Sequence, residues 1–370
     1  MNYSYKELYS TVIEAYGKSY KDMLIGFANE SFDFEAFSNS PLGEKAVFNH
    51  QLAFRYNDEM HPDVIEYWKN YKKGLLKEAH AAKNNAPRWL SYMPLSALSE
   101  KDRKYPLLIM IHNEDPGMAF LAEGWGFVHL AAEEEFIIVT PDQNSDDHIL
   151  ALYDIAVQEY PVDLSRIYMY GFSMSGFKTA RFSIDHPELL AAVALNSHFY
   201  PFFWEMPSKE RQRKTSVIGL PVIKAVGVSD FGKPVPMNKG QYCLTRNGTD
   251  HIRSAQHEVD VANMWLTMNH CEPVSLKSAR AIDDPANSRL FEKKMGLPFT
   301  RGLASNRDGV VVYIGDIKDK EDHFPFRVAA AENISHWPHD ILARISWEFL
   351  TCFARDPDTQ KSVILRELPL

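Results

Sequence analysis

The chain has 370 residues, 45% apolar and 24% charged, enough for one large domain or a main domain with an appendage. Its 49 acidic and 40 basic side chains give a net charge of −9 without a basic run, which argues against nucleic acid as a partner and against electrostatic attachment to a membrane. Three cysteines (243, 271 and 352) are too few and too scattered for a disulfide framework or a thiolate zinc site, and no 18-residue apolar run or N-terminal export segment occurs, so a cytoplasmic protein without cofactor or metal is expected.

Residues 5–16 have the pattern of an amphipathic helix, followed by a Phe-, Asn- and Ser-rich stretch. Val64, Ile65, Tyr67, Trp68, Tyr71, Leu75 and Leu76 fall at helical spacing behind Pro62, which predicts a helix over 61–83. Residues 1–87 are thus expected to form a helical N-terminal extension. From residue 88 the character changes. RWLSYMPLSAL reads as a short edge strand, and YPLLIMI (105–111) as a strand buried on both faces. Helix 124–136, strand 137–140 and helix 148–160 follow, and this alternation predicts a mostly parallel sheet flanked by helices. Such folds carry their chemistry in loops beyond the carboxyl ends of the strands.

Residues 167–195 hold the most specific pattern: strand 167–170, the turn Gly171-Phe172-Ser173-Met174-Ser175-Gly176, a helix to about residue 185, and strand 191–195. A serine in a G-x-S turn between a buried strand and a helix is the signature of a nucleophile elbow, where small neighbours let the backbone fold tightly under the serine. Five aromatics within 199–204 lie just past the next strand end. Strand 221–226 runs into Gly227-Val228-Ser229-Asp230, and helix 256–269 follows. Residues 237–309 are a candidate lid. A hairpin (310–317 with 324–331) then leads into Ser335-His336-Trp337-Pro338-His339 and a closing helix over 340–354, with 356–370 as a C-terminal tail.

A serine hydroxyl needs a base within hydrogen-bond reach, and that base needs an acid to hold its tautomer. Downstream of the serine these partners follow in the order acid, then histidine. Asp230, on a strand-end loop, is the first choice for the acid, ahead of Asp250 and Asp322. His336, between the last strand and the closing helix, is the base, with His339 as the alternative. Acyl transfer also requires donors for the oxyanion: the backbone N–H of Met174 and that of Asn113 or Glu114, after strand 105–111. Trp125, Phe199, Phe203, Trp204 and Trp337 are candidates for the pocket wall. His112 and His198 also sit at strand ends, but no histidine, cysteine or carboxylate spacing supports a metal site.

Taken together, YPLLIMIHN, GWGFVHLAAEEEFIIVTPD, DLSRIYMYGFSMSGFKTARFSIDHPELLAAVALNS, PVIKAVGVSD, VANMWLTMNHCEPV and ISHWPHDILARISWEFL resemble the α/β-hydrolase superfamily. Within it they are most similar to esterases grouped with polyhydroxybutyrate depolymerases and feruloyl or acetyl-xylan esterases. The resemblance spans about residues 88–355. It implies an α/β-hydrolase fold, with Ser173 as nucleophile, Asp230 as acid and His336 as base. The chain departs from the family pattern where His112-Asn113 replaces histidine-glycine and Ser175 replaces the elbow's second glycine. It departs again where Asn269-His270-Cys271 stands for asparagine-glycine-cysteine, and where Trp337 directly follows His336. The expected activity is hydrolysis of small-molecule carboxylic esters. A serine peptidase of the same fold, or an inactive binding protein on the same scaffold, is the alternative.

Overall fold

The computed structural model describes residue 28 and residues 32–54, 60–112, 118–197, 206–230, 242–246, 249–253, 255–280 and 295–370. Its strands are β1 (Leu75–His80), β2 (Trp89–Pro94), β3 (Tyr105–Ile111), β4 (Ile137–Pro141), β5 (Val162–Phe172), β6 (Ala192–Asn196), β7 (Val222–Gly227), β8 (Tyr242–Arg246), β9 (Thr249–Arg253), β10 (Arg301–Arg307), β11 (Val310–Ile317), β12 (Phe326–Ala331) and a short antiparallel pair, β13 (Phe353–Arg355) and β14 (Ser362–Ile364). Ten of them form one sheet in the order β1-β2-β4-β3-β5-β6-β7-β12-β11-β10, while β8 and β9 pair separately. From β4 to β12 every neighbouring pair is parallel. Antiparallel pairs close both flanks: β1 and β2 on one side, β11 and β10 on the other.

The apolar run of β3 belongs at the centre because its side chains alternate between two cores. Leu108 and Met110 enter one, Leu107, Ile109 and Ile111 the other. β5 divides in the same way, Tyr168 and Tyr170 facing the first core and Ile167 and Met169 the second. The first face is covered by helices α1 (Phe34–Ser38), α2 (Pro41–Phe54), α3 (Pro62–Asn70), α4 (Met118–Gly124), α5 (Phe127–Glu134) and a closing helix at Asp340–Leu350. The second is covered by α6 (Asp146–Glu159), α7 (Met174–Asp185) and α9 (Ala255–Met268), with α8 (Lys209–Ile218) beside α9. The closing helix is α10.

Three departures from the sequence reading have local causes. The predicted helix over 61–83 stops at Asn70. Lys72 and Gly74 both hold positive φ there (44° and 79°), and the chain turns into β1. Leu75 and Leu76 continue the helical spacing by coincidence; burial along β1 in fact alternates. RWLSYMP is therefore an inner strand, because β1 pairs along its outer side. Within the candidate lid, α9 packs into the second core through Val259, Val261, Trp265 and Leu266, and β10 is the outermost strand of the main sheet.

β1 also places Lys77 in the interior, with Nζ 2.6 Å from Glu123 Oε1; Tyr92 donates its hydroxyl to that same oxygen at 2.6 Å. The C-terminal residues lie back on the sheet, where Arg301 donates to the Leu368 carbonyl at 2.7 Å and Arg327 to that of Pro369 at 2.6 Å. Arg327 is itself held by two bonds to buried Asp316.

Candidate active site

Ser173 follows the last residue of β5 and precedes the first of α7. Its backbone sits at φ 53°, ψ −122°, a conformation that costs energy for any residue with a side chain. Three features hold it there. The Ser173 N–H donates to the Asn196 carbonyl at the end of β6, 3.1 Å away. Gly171 lies under the turn, where a Cβ would come within 2.6 Å of the Ser175 carbonyl oxygen and overlap the Thr179 hydroxyl. The Ser175 hydroxyl accepts from the Phe172 N–H at 3.0 Å and donates to the Phe172 carbonyl at 2.7 Å. Ser175, the departure from the glycine pattern, thereby ties the elbow to itself. Gly176 is under less constraint, since an added Cβ would meet nothing closer than 3.5 Å.

Three strand ends converge on this serine. His336, on the loop between β12 and α10, places Nε2 2.8 Å from Ser173 Oγ, and its Nδ1 lies 2.7 Å from Asp230 Oδ1, three residues past β7. Asp230 and His336 are both buried, whereas Ser173 is only partly so. With Asp230 ionised, Nδ1 carries the proton and Nε2 is left as the acceptor for the serine hydroxyl. Phe172 packs against the imidazole with ring centroids 4.8 Å apart, which fixes its plane.

His339 stands elsewhere. It is buried with its ring edge-on to Phe37 at 5.2 Å, and neither ring nitrogen has a hydrogen-bond partner among the described residues. Burial pushes its pKa down to about 3. Of the other two candidate acids, Asp322 is exposed and paired with Lys318, and the side chain of Asp250 lies outside the described residues.

The Met174 N–H is the first of α7, where backbone donors have no intrahelical partner and the helix dipole is positive. Asn113 and Glu114, Phe199, Phe203 and Trp204, and His198 lie outside the described residues. His112 directly follows β3, its carbonyl accepting from Asn144 Nδ2 at 2.7 Å, and Lys178 of α7 bonds Asn144 Oδ1. Trp125 and Trp337, expected in the pocket wall, are both buried. Trp125 packs on Phe172 at 5.1 Å, and Trp337 donates its indole N–H to His50 Nε2 at 2.7 Å. Sequence reasoning did not find the Asn196 carbonyl, the Ser175 hydroxyl, Asn144 or His50, because each acts through a contact with a residue distant in the chain or through the backbone.

Among the described residues, no group of three or more His, Cys, Asp or Glu could hold a metal ion, and no helix is long and apolar enough to cross a membrane.

No protein-family model matches the sequence, and neither does any curated protein. Solved structures similar to this one include an S-formylglutathione hydrolase from Staphylococcus aureus, 16% identical over 42% of this chain and 76% of that chain at a TM-score of 0.34. A ferulic acid esterase is 17% identical over 43% of this chain and 80% of its own, TM-score 0.34. A mutant of the feruloyl esterase module from Clostridium thermocellum, complexed with sinapinate, is 16% identical over 46% and 72%, TM-score 0.33. The strand order itself, with antiparallel β1 and β2 ahead of a parallel run and an elbow at the end of β5, is that of an α/β-hydrolase sheet.

Proposed function

We propose that the protein is a serine hydrolase that cleaves carboxylic esters through an acyl-enzyme on Ser173. The observation that carries this reading is the continuous hydrogen-bonded line from Ser173 Oγ through His336 to Asp230. In the forward step Ser173 Oγ attacks the ester carbonyl carbon while its proton passes to His336 Nε2. Asp230 holds the imidazolium by accepting from Nδ1–H. The negative charge on the former carbonyl oxygen is met by the Met174 N–H, with a second donor expected from the loop after β3. Collapse of the tetrahedral species breaks the bond to the alcohol, which leaves with the proton from His336. Water then attacks the acyl-serine with His336 as base, and the acid is released.

The same three groups can attack an amide, so ester preference rests on the resemblance of residues 88–355 to esterases. Initial rates with p-nitrophenyl acetate and butyrate, a feruloyl ester and chromogenic peptides, on wild type, Ser173→Ala and His336→Ala, test the reading. Turnover of esters above peptides, lost in both variants, is expected. Peptide turnover above ester turnover would replace it with a peptidase. Turnover unchanged in Ser173→Ala would remove it, and no turnover of any substrate would favour a binding protein.

A further inference from the structure

The N-terminal helices lie outside the family resemblance, yet they meet the loop that carries His336 at both of its ends. On one side, Asn333 accepts from the Asp33 N–H at 3.1 Å and donates to the Asp33 carbonyl at 3.2 Å. On the other, three residues of α2 hold the residues that follow His336. Lys45 Nζ lies 2.5 Å from Asp340 Oδ2, and Asn49 Nδ2 donates to Asp340 Oδ1 at 2.5 Å. The Asn49 side-chain oxygen is within 2.9 Å of Nε2 of His129, whose pKa burial lowers to about 3; His129 is neutral and donates this bond. His50 Nε2 then accepts from the indole of Trp337, the residue directly after His336.

The chemistry of that last bond is directional. An indole nitrogen can only donate, so His50 must present a bare nitrogen. Burial, then the neighbouring His339, keep His50 well below its ordinary pKa and therefore neutral. Trp337 is buried with its ring against Phe120 at 5.7 Å and Phe172 at 6.4 Å. Removing the His50 acceptor leaves this buried N–H to find another, and the loop is expected to shift to satisfy it. A shift there moves the backbone of His336, and Phe172 touches both rings.

We propose that α2 is a brace for the His336 loop, and that His50 is a positioning residue for His336 acting through Trp337. This rests on the serine hydrolase reading for its kinetic consequence, though not for its geometry. It gives the N-terminal segment a role in the chemistry: the base is set in place from α2, through a bond between residues 287 positions apart in the chain.

The test compares His50→Leu, His50→Gln, Trp337→Phe and the His50→Leu/Trp337→Phe double variant in the full chain. The readouts are p-nitrophenyl acetate kinetics and the low-field proton resonance of the His336 Nδ1–H···Asp230 bond, assigned by its loss in His336→Gln. His50→Leu is expected to lower kcat by about ten- to a hundredfold with little change in KM, because misplacement of a catalytic group acts on the transition state. It also broadens or shifts the low-field proton. His50→Gln, which keeps an acceptor, restores most of both. In the Trp337→Phe background, with no indole N–H left to satisfy, His50→Leu adds little. The proposal is overturned if His50→Leu leaves kcat and the resonance at wild-type values, if Gln is no better than Leu, or if the two single effects simply add. Should His50→Leu not fold, His50→Gln is compared with Trp337→Phe instead: a near-wild-type kcat and resonance in His50→Gln with both altered in Trp337→Phe are expected, and wild-type values in Trp337→Phe overturn the proposal. Hydrolysis retained in Ser173→Ala would remove the hydrolase reading alone, and the low-field proton would then decide the brace.

Discussion

Gly227, the last residue of β7, lies so close to Ile334 that a Cβ on it would be 2.5 Å from the Ile334 carbonyl carbon. The loop of Asp230 and the loop of His336 are stitched together at this point. The Val228 N–H donates to the Ala331 carbonyl at 2.8 Å and the Ser229 N–H to that of Ile334 at 2.9 Å. Gly227→Ala must therefore spread the two loops and lengthen the Asp230–His336 bond. For a displacement of about 1 Å, kcat is expected to fall by about a hundredfold. Steady-state kinetics beside thermal melting checks this; a variant with a lower melting point and unchanged kcat would contradict it.

Asp230→Asn keeps the shape of the acid but offers His336 an amide. The imidazole then loses the charge that stabilises its protonated form and the acceptor that fixes its tautomer. A drop in kcat of about 10⁴-fold is expected with the fold intact. Circular dichroism and p-nitrophenyl acetate turnover on the same sample measure both.

His339 gives the stability of the protein a definite pH dependence. Its pKa is about 3 in the folded chain against 6.5 as the reference for an exposed histidine. Between these values the unfolded chain binds a proton that the folded chain does not, so stability falls as pH drops from about 6.5 towards 3. The slope is about 1.4 kcal/mol per pH unit for one such group. His129, also lowered to about 3, adds to it in the same direction. His339→Leu should flatten the decline by one proton's worth, with no loss of stability at pH 7, because neither ring nitrogen is bonded. It should also retain ester hydrolysis. Urea unfolding at pH 7, 6 and 5 reads the slope; equal slopes for variant and wild type would contradict the assignment.

The Lys77–Glu123 pair is buried on both sides, at 2% and 1% side-chain exposure. Lys77→Met leaves a carboxylate in the core without its cation, bonded to the Tyr92 hydroxyl, and a loss of about 3–5 kcal/mol is expected. Lys77→Met combined with Glu123→Leu should recover much of it. Urea unfolding of the two variants makes the comparison, and a double variant no more stable than the single one would contradict it.

That Ser173, His336 and Asp230 meet was legible because each lies in a short-range pattern: an apolar strand, then a loop with a particular residue type, in a fixed chain order. The parallel sheet was legible for the same reason, since β3 is apolar along its length, β5 is apolar from Ile167 to Tyr170, and β7 is apolar apart from Lys224. β1 was not, because Leu75 and Leu76 extend a helical spacing and only the positive φ of Lys72 and Gly74 breaks it. β10 was not either; as an outermost strand it is only partly buried and reads RGLASNR, without an apolar face. Gly171 and Gly176 look equivalent in the sequence, yet only Gly171 is crowded by other atoms. The brace is hidden for a different reason. Lys45, Asn49 and His50 are ordinary polar residues of a helix, and their meaning comes from partners almost a whole chain away.

On the proposed mechanism Ser173 becomes covalently acylated during turnover. Rapid mixing with p-nitrophenyl acetate, acid quenching and mass spectrometry of the peptide containing residues 171–176 tests it most directly. The expected result is a burst of p-nitrophenol matched by an acetyl group on Ser173, with both absent in Ser173→Ala. Steady turnover with no adduct on that peptide, or an undiminished rate in Ser173→Ala, would contradict it.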